Sequence, residues 1–403
     1  MAFIGMKSII ISITSPTTKA HHHYYLPKTP PTRISFRCNQ SSLLSTTLRL
    51  NNSYYDRPLT ALKIETEPVF SYVKSFAPAT IANVGPGSQQ INCAIDGIGD
   101  YVSVRIDPKV MPGRASNSNI HGIEPFCAAL RVMRLLGIKS VGLSLSIKKG
   151  LPRLWRIESK AATTAAVVLA VNELFGGKLS VSELIQVGVY AQDSEAEDFQ
   201  LIVGNLVTAI MGGFVMIHDY GPLEISPLEF PIEKELFFIF VNPEIKIGKS
   251  CRQEMASMKE IHQHQDGAMR SGSVMSPIEY RRKCEPLIPG FEVMQETAEG
   301  EAMGCRIIKK RVSDDYLEKC MEESKSTIPG LAKVMKVALE EGALGCKLVG
   351  SKVIVAITDD MEKGKEIGHR MTEAFLNHEG GGLKASAMVH KLDRVGARVI
   401  SRK

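Results

Sequence analysis

Residues 141–177 read "VGLSLSIKKGLPRLWRIESKAATTAAVVLAVNELFGG". The first nine alternate apolar and polar, as a half-buried strand should. From about Ser159 to Phe175 the run is Ala-rich and helical, and Gly176 and Gly177 close it. A strand–loop–helix junction of this kind is a common phosphate-binding frame, because glycines let backbone N–H groups approach the anion at the helix start. This loop has no glycine after Gly150 and carries Trp155, Arg156, Glu158 and Lys160 instead. The frame points to a phosphate loop, whereas the residues inside it do not.

The chain has 403 residues, room for two or three packing units at about 100–200 residues each. Its first 55 residues contain no Asp or Glu and six Lys or Arg, are rich in Ser and Thr, and include Pro16, Pro27, Pro30 and Pro31. That composition predicts a disordered plastid transit peptide over residues 1–60, and hence the chloroplast stroma as location. The apolar run "IIISI" is too short and interrupted for a membrane span. The net charge of +6 belongs to this leader, since the remainder holds 43 basic and 43 acidic residues. A neutral body gives no electrostatic footprint for nucleic acid.

Eight cysteines are scattered without a CxxC pair, which predicts free thiols in a reducing compartment. "HHHYY" at 21–25 lies in the leader without partner ligands. His262 and His264 in "HQHQD" stand two apart, a poor spacing for one metal.

Outside the quoted stretch, "YVSVRID" (101–107), "GGFVMIHDY" (212–220), "ELFFIFVNP" (235–243), "SKVIVAITD" (351–359), "ASAMVHKLD" (385–393) and "GARVI" (396–400) read as strands. Helices are expected over 124–137 and 361–376, and from a capping box formed by Ser180 and Glu183. Strands and helices alternate with many antiparallel-looking neighbours. The expectation is an α+β fold of two lobes, 69–235 and 236–403, and not a doubly wound sheet. "IPGFEVMQETAEGEAMGC" (288–305) and "IPGLAKVMKVALEEGALGC" (328–346) look like a local tandem duplication, with the first copy expected to add a helix.

These landmarks, in this order, resemble the plant homoserine kinases of the GHMP kinase superfamily. The matching runs are "SFAPATIANVGPG", "CAIDGIGDYVSVRIDP", "LGIKSVGLSLSIKKGLP", "AVNELFGGKLSVSELI", "AIMGGFVMI", "PLIPG" and "KLDRVGAR", and they cover roughly residues 70–400. The resemblance implies a two-lobed fold with an ATP and substrate cleft between the lobes. It also implies phosphoryl transfer from MgATP to the side-chain hydroxyl of L-homoserine, in threonine synthesis.

It further implies which residues line the cleft. A phosphate loop resembling PxxxGLGSSAA aligns with "PRLWRIESKAA", which makes Pro152, Arg156, Ser159, Lys160 and Ala161 the nucleotide-binding positions. Glu195, in "DSEAE", matches a family carboxylate and with Ser159 would hold Mg²⁺. "LIVGN" aligns with YHADN, which keeps Asn205 as a catalytic position and leaves Ile202 and Gly204 at the His and Asp. Asn83, Gln89, Arg282 and Gly350 fall at substrate-binding positions. Gln89 stands at the Asp of a motif resembling FDxLG, here "SQQIN", and Gly350 lies in a shortened glycine motif. Near "PLIPG" the family's arginine falls on Cys284, with Arg281 and Arg282 close by.

The substitutions change the chemistry. A side chain where the backbone must wrap a triphosphate costs on the order of 1 kcal/mol before any clash. Glu158 beside a phosphate would cost ~4 kcal/mol at about 4 Å and an effective dielectric near 20. Arg153, Arg156 and Lys160 form a basic cluster before a helix start and offer side-chain anion binding in exchange. Three readings stay open on sequence: an active kinase with an unusual ATP mode; a family member with another small, amino-acid-like ligand or another reaction; and a catalytically inactive pseudokinase acting through binding or as a subunit of an active homoserine kinase. A homodimer or association with an active homoserine kinase is the expected assembly. None of the three readings calls for nucleic acid or a membrane.

Overall fold

The computed structural model describes residues 9–11, 48–49, 65–85, 90–117, 124–150, 159–192, 199–220, 223–245, 287–295, 303–307, 328–349, 353–378 and 382–403. Loop residues 151–158, Gln89, Glu195, Arg282, Gly350 and both histidine-rich stretches lie outside them.

The quoted stretch forms strand β6 (Leu143–Lys149) and helix α2 (Ser159–Leu174). Around them stand β3 (Tyr72–Ile81), β4 (Gln90–Ile106), β5 (Ala115–Asn117), α1 (Glu124–Leu135), α3 (Val181–Tyr190), α4 (Phe199–Met211), β7 (Phe214–Tyr220) and β8 (Leu223–Leu228). Strand β4 organises this lobe. Its first residues, 90–93, pair with β7, residues 93–105 pair with β3, and 100–106 pair on the opposite edge with β6. Helix α2 packs across the sheet with Ala161, Ala162, Ala165, Ala166, Val167 and Val168 all buried. Such a helix is apolar all round because protein covers it on every side. Its small residues bring the backbone close enough for Ser75 Oγ to donate to the Ala166 carbonyl at 2.7 Å. Helix α3 opens on the expected capping box, with Ser180 and Glu183 bonding reciprocally.

Two short strands, β1 (Ile9–Ile11) and β2 (Leu48–Arg49), lie on the outer edge of β8. These five residues depart from the expected disordered leader, because a branched apolar run can pair with an open strand edge.

The second lobe is a four-stranded antiparallel sheet in the order β12 (Gly345–Val349), β13 (Val353–Thr358), β9 (Phe237–Pro243), β14 (Ala385–Lys391). Helices α5 (Leu331–Glu340) and α6 (Met361–Leu376) cover one face, on Ile239, Val241, Ile354 and Ala356. The alternate residues Phe238, Phe240, Val353, Val355 and Ile357 face the other way and meet Ile91, Cys93, Phe214 and Phe230 of the first lobe. Both faces are buried, so β9 reads as an unbroken apolar run. Phe214 meets Phe230 and Phe291 edge-on at 5.6 and 5.1 Å between centroids, contacts worth about 0.5–1.5 kcal/mol each beyond their burial. The last strand, β15 (Arg398–Arg402), returns to the first lobe and pairs with β3.

The duplicated segments fold differently. The first forms a hairpin, β10 (Phe291–Gln295) with β11 (Met303–Ile307), where a helix was expected. In "FEVMQ" Phe291 is buried while Glu292 pairs across the hairpin with Arg306 at 3.0 Å, a period of two. The second copy buries Leu331, Val334, Met335 and Ala338, a helical period. Shared letters conceal opposite periodicities.

Candidate functional site

Strand β6 and helix α2 converge on Asp100, a fully buried carboxylate of β4. Lys149 Nζ lies 2.8 Å from its Oδ2, Gly150 N–H donates to Oδ1 at 3.3 Å, and the Thr163 hydroxyl donates to Oδ2. The carboxylate therefore ties together the two ends of loop 151–158. Sequence reasoning missed it, although a signal existed: Asp100 shares the inward phase of Val102 and Val104, which puts an acid on a core face. Ser159 is the first residue of α2, and Ala161 is buried beneath it. Lys160 is exposed and reaches Glu124 of α1 at 3.4 Å. An exposed pair of this kind is worth about 0–1 kcal/mol, so Lys160 is only weakly held against α1.

The second half of the site is built on α4. Asn205 is buried, and its Oδ1 has no hydrogen-bond partner. One residue earlier, Gly204 leaves room that a neighbour uses. A Cβ placed on it would stand 2.5 Å from Asn92 Nδ2 and 3.3 Å from Tyr220 Oη. Asn92 is 1% exposed, and its Nδ2 is unpartnered. Its orientation follows from its other contact, because the Asn83 backbone N–H donates to Oδ1 at 3.3 Å. A backbone N–H can only donate, so the amide nitrogen must face Gly204. Asn83 has φ +57°, alone among described non-glycine residues in the left-handed region, where Asn is tolerated better than most. The Tyr220 hydroxyl donates to Gln90 Oε1. Of the predicted residues, the structure thus brings Asn83 to Asn92, which the sequence reading had not singled out, and places Asn205 next to Gly204 on α4.

The described residues joined at this place, Asn83, Gln90, Asn92 and Tyr220, carry no formal charge.

A different polar cluster joins the lobes. Asp393 is 2% exposed and accepts from the N–H groups of Val395 and Gly396 and from Arg398 Nη1, at 2.8, 2.7 and 2.6 Å. Arg398 also reaches Asp96 at 2.9 Å and stacks over Phe76. The Arg394 guanidinium donates to the carbonyls of Phe230, Pro231 and Lys234, on the β8–β9 connection. The "KLDRVGAR" run is therefore a latch between lobes.

Burial pushes the Cys305 thiol up to about 12, against the nearby Arg394 charge, and pushes Cys93 up further. Neither is a nucleophile near neutral pH. Burial lowers the His390 imidazole below the ordinary histidine range, opposed by the backbone and charge of Asp96. Among the described residues, no group of three His, Cys, Asp or Glu side chains is placed to hold a metal, and no helix is long and apolar enough to cross a membrane.

An α-helix-backed sheet lobe sharing one core with a four-stranded α/β sandwich defines a GHMP kinase fold. The crystal structure of homoserine kinase from Cytophaga hutchinsonii superposes with a TM-score of 0.54 at 22% identity, covering 84% of this chain and all of that one. By sequence, the chain is 39% identical to homoserine kinase of Arabidopsis thaliana over 356 residues, 85% of this chain and 88% of that protein. Homoserine kinase of Chlorobaculum tepidum is 26% identical over 349 residues, 82% and 98% of the two chains. No protein-family model matches the chain. The chain belongs to the homoserine kinase family.

Proposed function

We propose that this protein is a homoserine kinase-family member that keeps the family's small-molecule cleft and has lost its phosphoryl transfer. The family reaction is ATP-dependent phosphorylation of the L-homoserine side-chain hydroxyl, with Mg²⁺, in threonine biosynthesis. The plastid stroma is the proposed location, from the leader composition and a plant relative.

The observation that carries the reading is the exchange at Gly204. No side chain on α4 fills the position of the motif's carboxylate, and the Asn92 amide occupies the adjoining space. An amide presents N–H there and holds no negative charge for a substrate ammonium or hydroxyl proton. Phosphoryl transfer depends on positioning and electrostatics, and Arg156, Glu158 and Lys160 alter the loop that should supply both. ATP and Mg²⁺ would be held by Pro152, Arg156, Ser159, Lys160, Ala161 and Glu195. Of these, the side chains described are Lys160, paired with Glu124, and the apolar Ala161, and neither fits a role in holding the metal. On this reading the chain binds a small, amino-acid-like ligand in the family's cleft, alone or in association with an active homoserine kinase.

The rival reading, an active kinase with a side-chain phosphate grip, is favoured by the 39% identity across most of the chain. Incubating the full chain with MgATP and L-homoserine separates the two, with phosphohomoserine measured by mass spectrometry. We expect none above an enzyme-free control. Homoserine-dependent product would establish the rival.

A further inference from the structure

We propose that the open face of the first lobe's sheet binds single-stranded nucleic acid. Strands β15, β3, β4 and β6 stand side by side, and their registers set the outward side chains in rows across the sheet. The alternate residues, among them Val73, Val102, Val104, Leu143 and Leu145, are buried in the core beneath α2. The second lobe meets the sheet farther along, on Ile91, Cys93 and Phe214, and leaves these rows uncovered. Four cations lie in them: Arg398, Lys74, Arg105 and Lys148. Three aromatic rings join them, Tyr72, Tyr101 and Phe76, and the other paired outward positions, Ser103 among them, are serines. No carboxylate stands in the rows. Arg105 and Lys148 are exposed, Lys74, Tyr72 and Tyr101 are half-buried, and Phe76 is buried beneath Arg398.

A chain body that is neutral in sum therefore carries charge of one sign on this face. Arg398 is matched by Asp96 and Asp393, and Arg105 by Asp107 at 3.4 Å. Lys74 lies over the Tyr101 ring at 5.1 Å, and neither it nor Lys148 has a carboxylate partner among the described residues. A run of phosphates supplies the missing anions, and ammonium and hydroxyl groups are ordinary donors to phosphate oxygens. The rings favour a nucleic acid over an acidic peptide. Tyr72 is tied through its hydroxyl to Ser103 at 3.0 Å, and its ring stays partly exposed. Such a ring stacks an unpaired base whatever the sequence. A duplex keeps its bases stacked on each other, and a second copy of the face would bring cation against cation.

The test uses the full chain and fluorescent ribo- and deoxyribo-oligonucleotides of about ten nucleotides, within the site size of single-strand binding folds. Anisotropy is followed across a salt series. The leader is itself basic, so the readout is the difference between chains that share it. Lys74→Gln with Lys148→Gln should weaken binding at least tenfold at low salt. The slope of log affinity against log salt should become shallower by about 1.4, at about 0.7 per phosphate contact on a single strand. Tyr72→Ser should weaken binding about tenfold and leave the slope unchanged. Binding of either oligonucleotide with these changes supports the proposal, and a preference between them assigns the sugar. No binding of either one, or a slope that the lysine pair does not alter, overturns it. So does equal displacement by polyglutamate, or full affinity in a Tyr72→Ser chain with an unchanged thermal midpoint, since the face would then read charge alone and suit an acidic protein. The lysine pair decides the matter even where Tyr72→Ser fails to fold. None of these outcomes depends on whether the cleft transfers phosphate.

Discussion

Two polar clusters lie near the junction of the lobes, and they are finished differently. Around Asp393 the carboxylate is matched by two backbone N–H groups and Arg398, and Arg394 and Arg398 are each bonded several times over. Around Asn92 two buried amide atoms have no partner. Buried polar groups are nearly always satisfied unless something outside the chain satisfies them. The first cluster is architecture, holding β15 and the β8–β9 connection in place. The second lies in the candidate site.

The contrast can be broken from the architectural side first. Asp393→Ala removes the acceptor for two backbone N–H groups and leaves Arg398 with Asp96 as its one carboxylate. It should destabilise the protein by about 3 kcal/mol, the scale for opening a buried charge pair, read from urea denaturation at pH 7. A loss below about 1 kcal/mol would mean that the latch is ornamental.

A smaller effect is expected from His390, which meets Phe240 edge-on. Its folded-state pKa is depressed by burial, so the unfolded chain binds the proton more readily. The contribution to stability is complete above the ordinary histidine pKa, near 6.5. It is lost as pH falls through the lower folded value. The urea midpoint should therefore drop between pH 7 and pH 5, and His390→Gln should flatten that slope. An unchanged slope would assign the drop to other groups, such as His218, which burial also lowers.

Much of this architecture was legible in the sequence. The alternation of "VGLSLSIKK" and the Ala-rich run after Ser159 fixed β6, α2 and the junction between them, and the Ser180–Glu183 spacing marked the start of α3. Strand β8 escaped notice because Pro227 interrupts it, a residue tolerated toward a sheet edge. The hairpin β10–β11 was misread because similarity to a helical segment outweighed the local period of two. The site was legible only as altered motifs. "SQQIN" and "LIVGN" could be seen to depart from their family patterns, yet nothing local shows that Asn92 and Gly204 meet. That contact joins residues 112 positions apart in sequence, and only the packing of α4 on β4 creates it.

A double-mutant cycle measures that contact. In an Asn92→Ala background the new methyl of Gly204→Ala meets no amide, and the helix should gain up to about 1 kcal/mol from replacing glycine. With Asn92 present, the same methyl must displace the amide and break its bond from Asn83, and Gly204→Ala should cost about 1 kcal/mol, as overpacking does. We expect a coupling of about 2 kcal/mol between the two positions by urea denaturation. A coupling within about 0.3–0.5 kcal/mol, the additivity of independent sites, would contradict it.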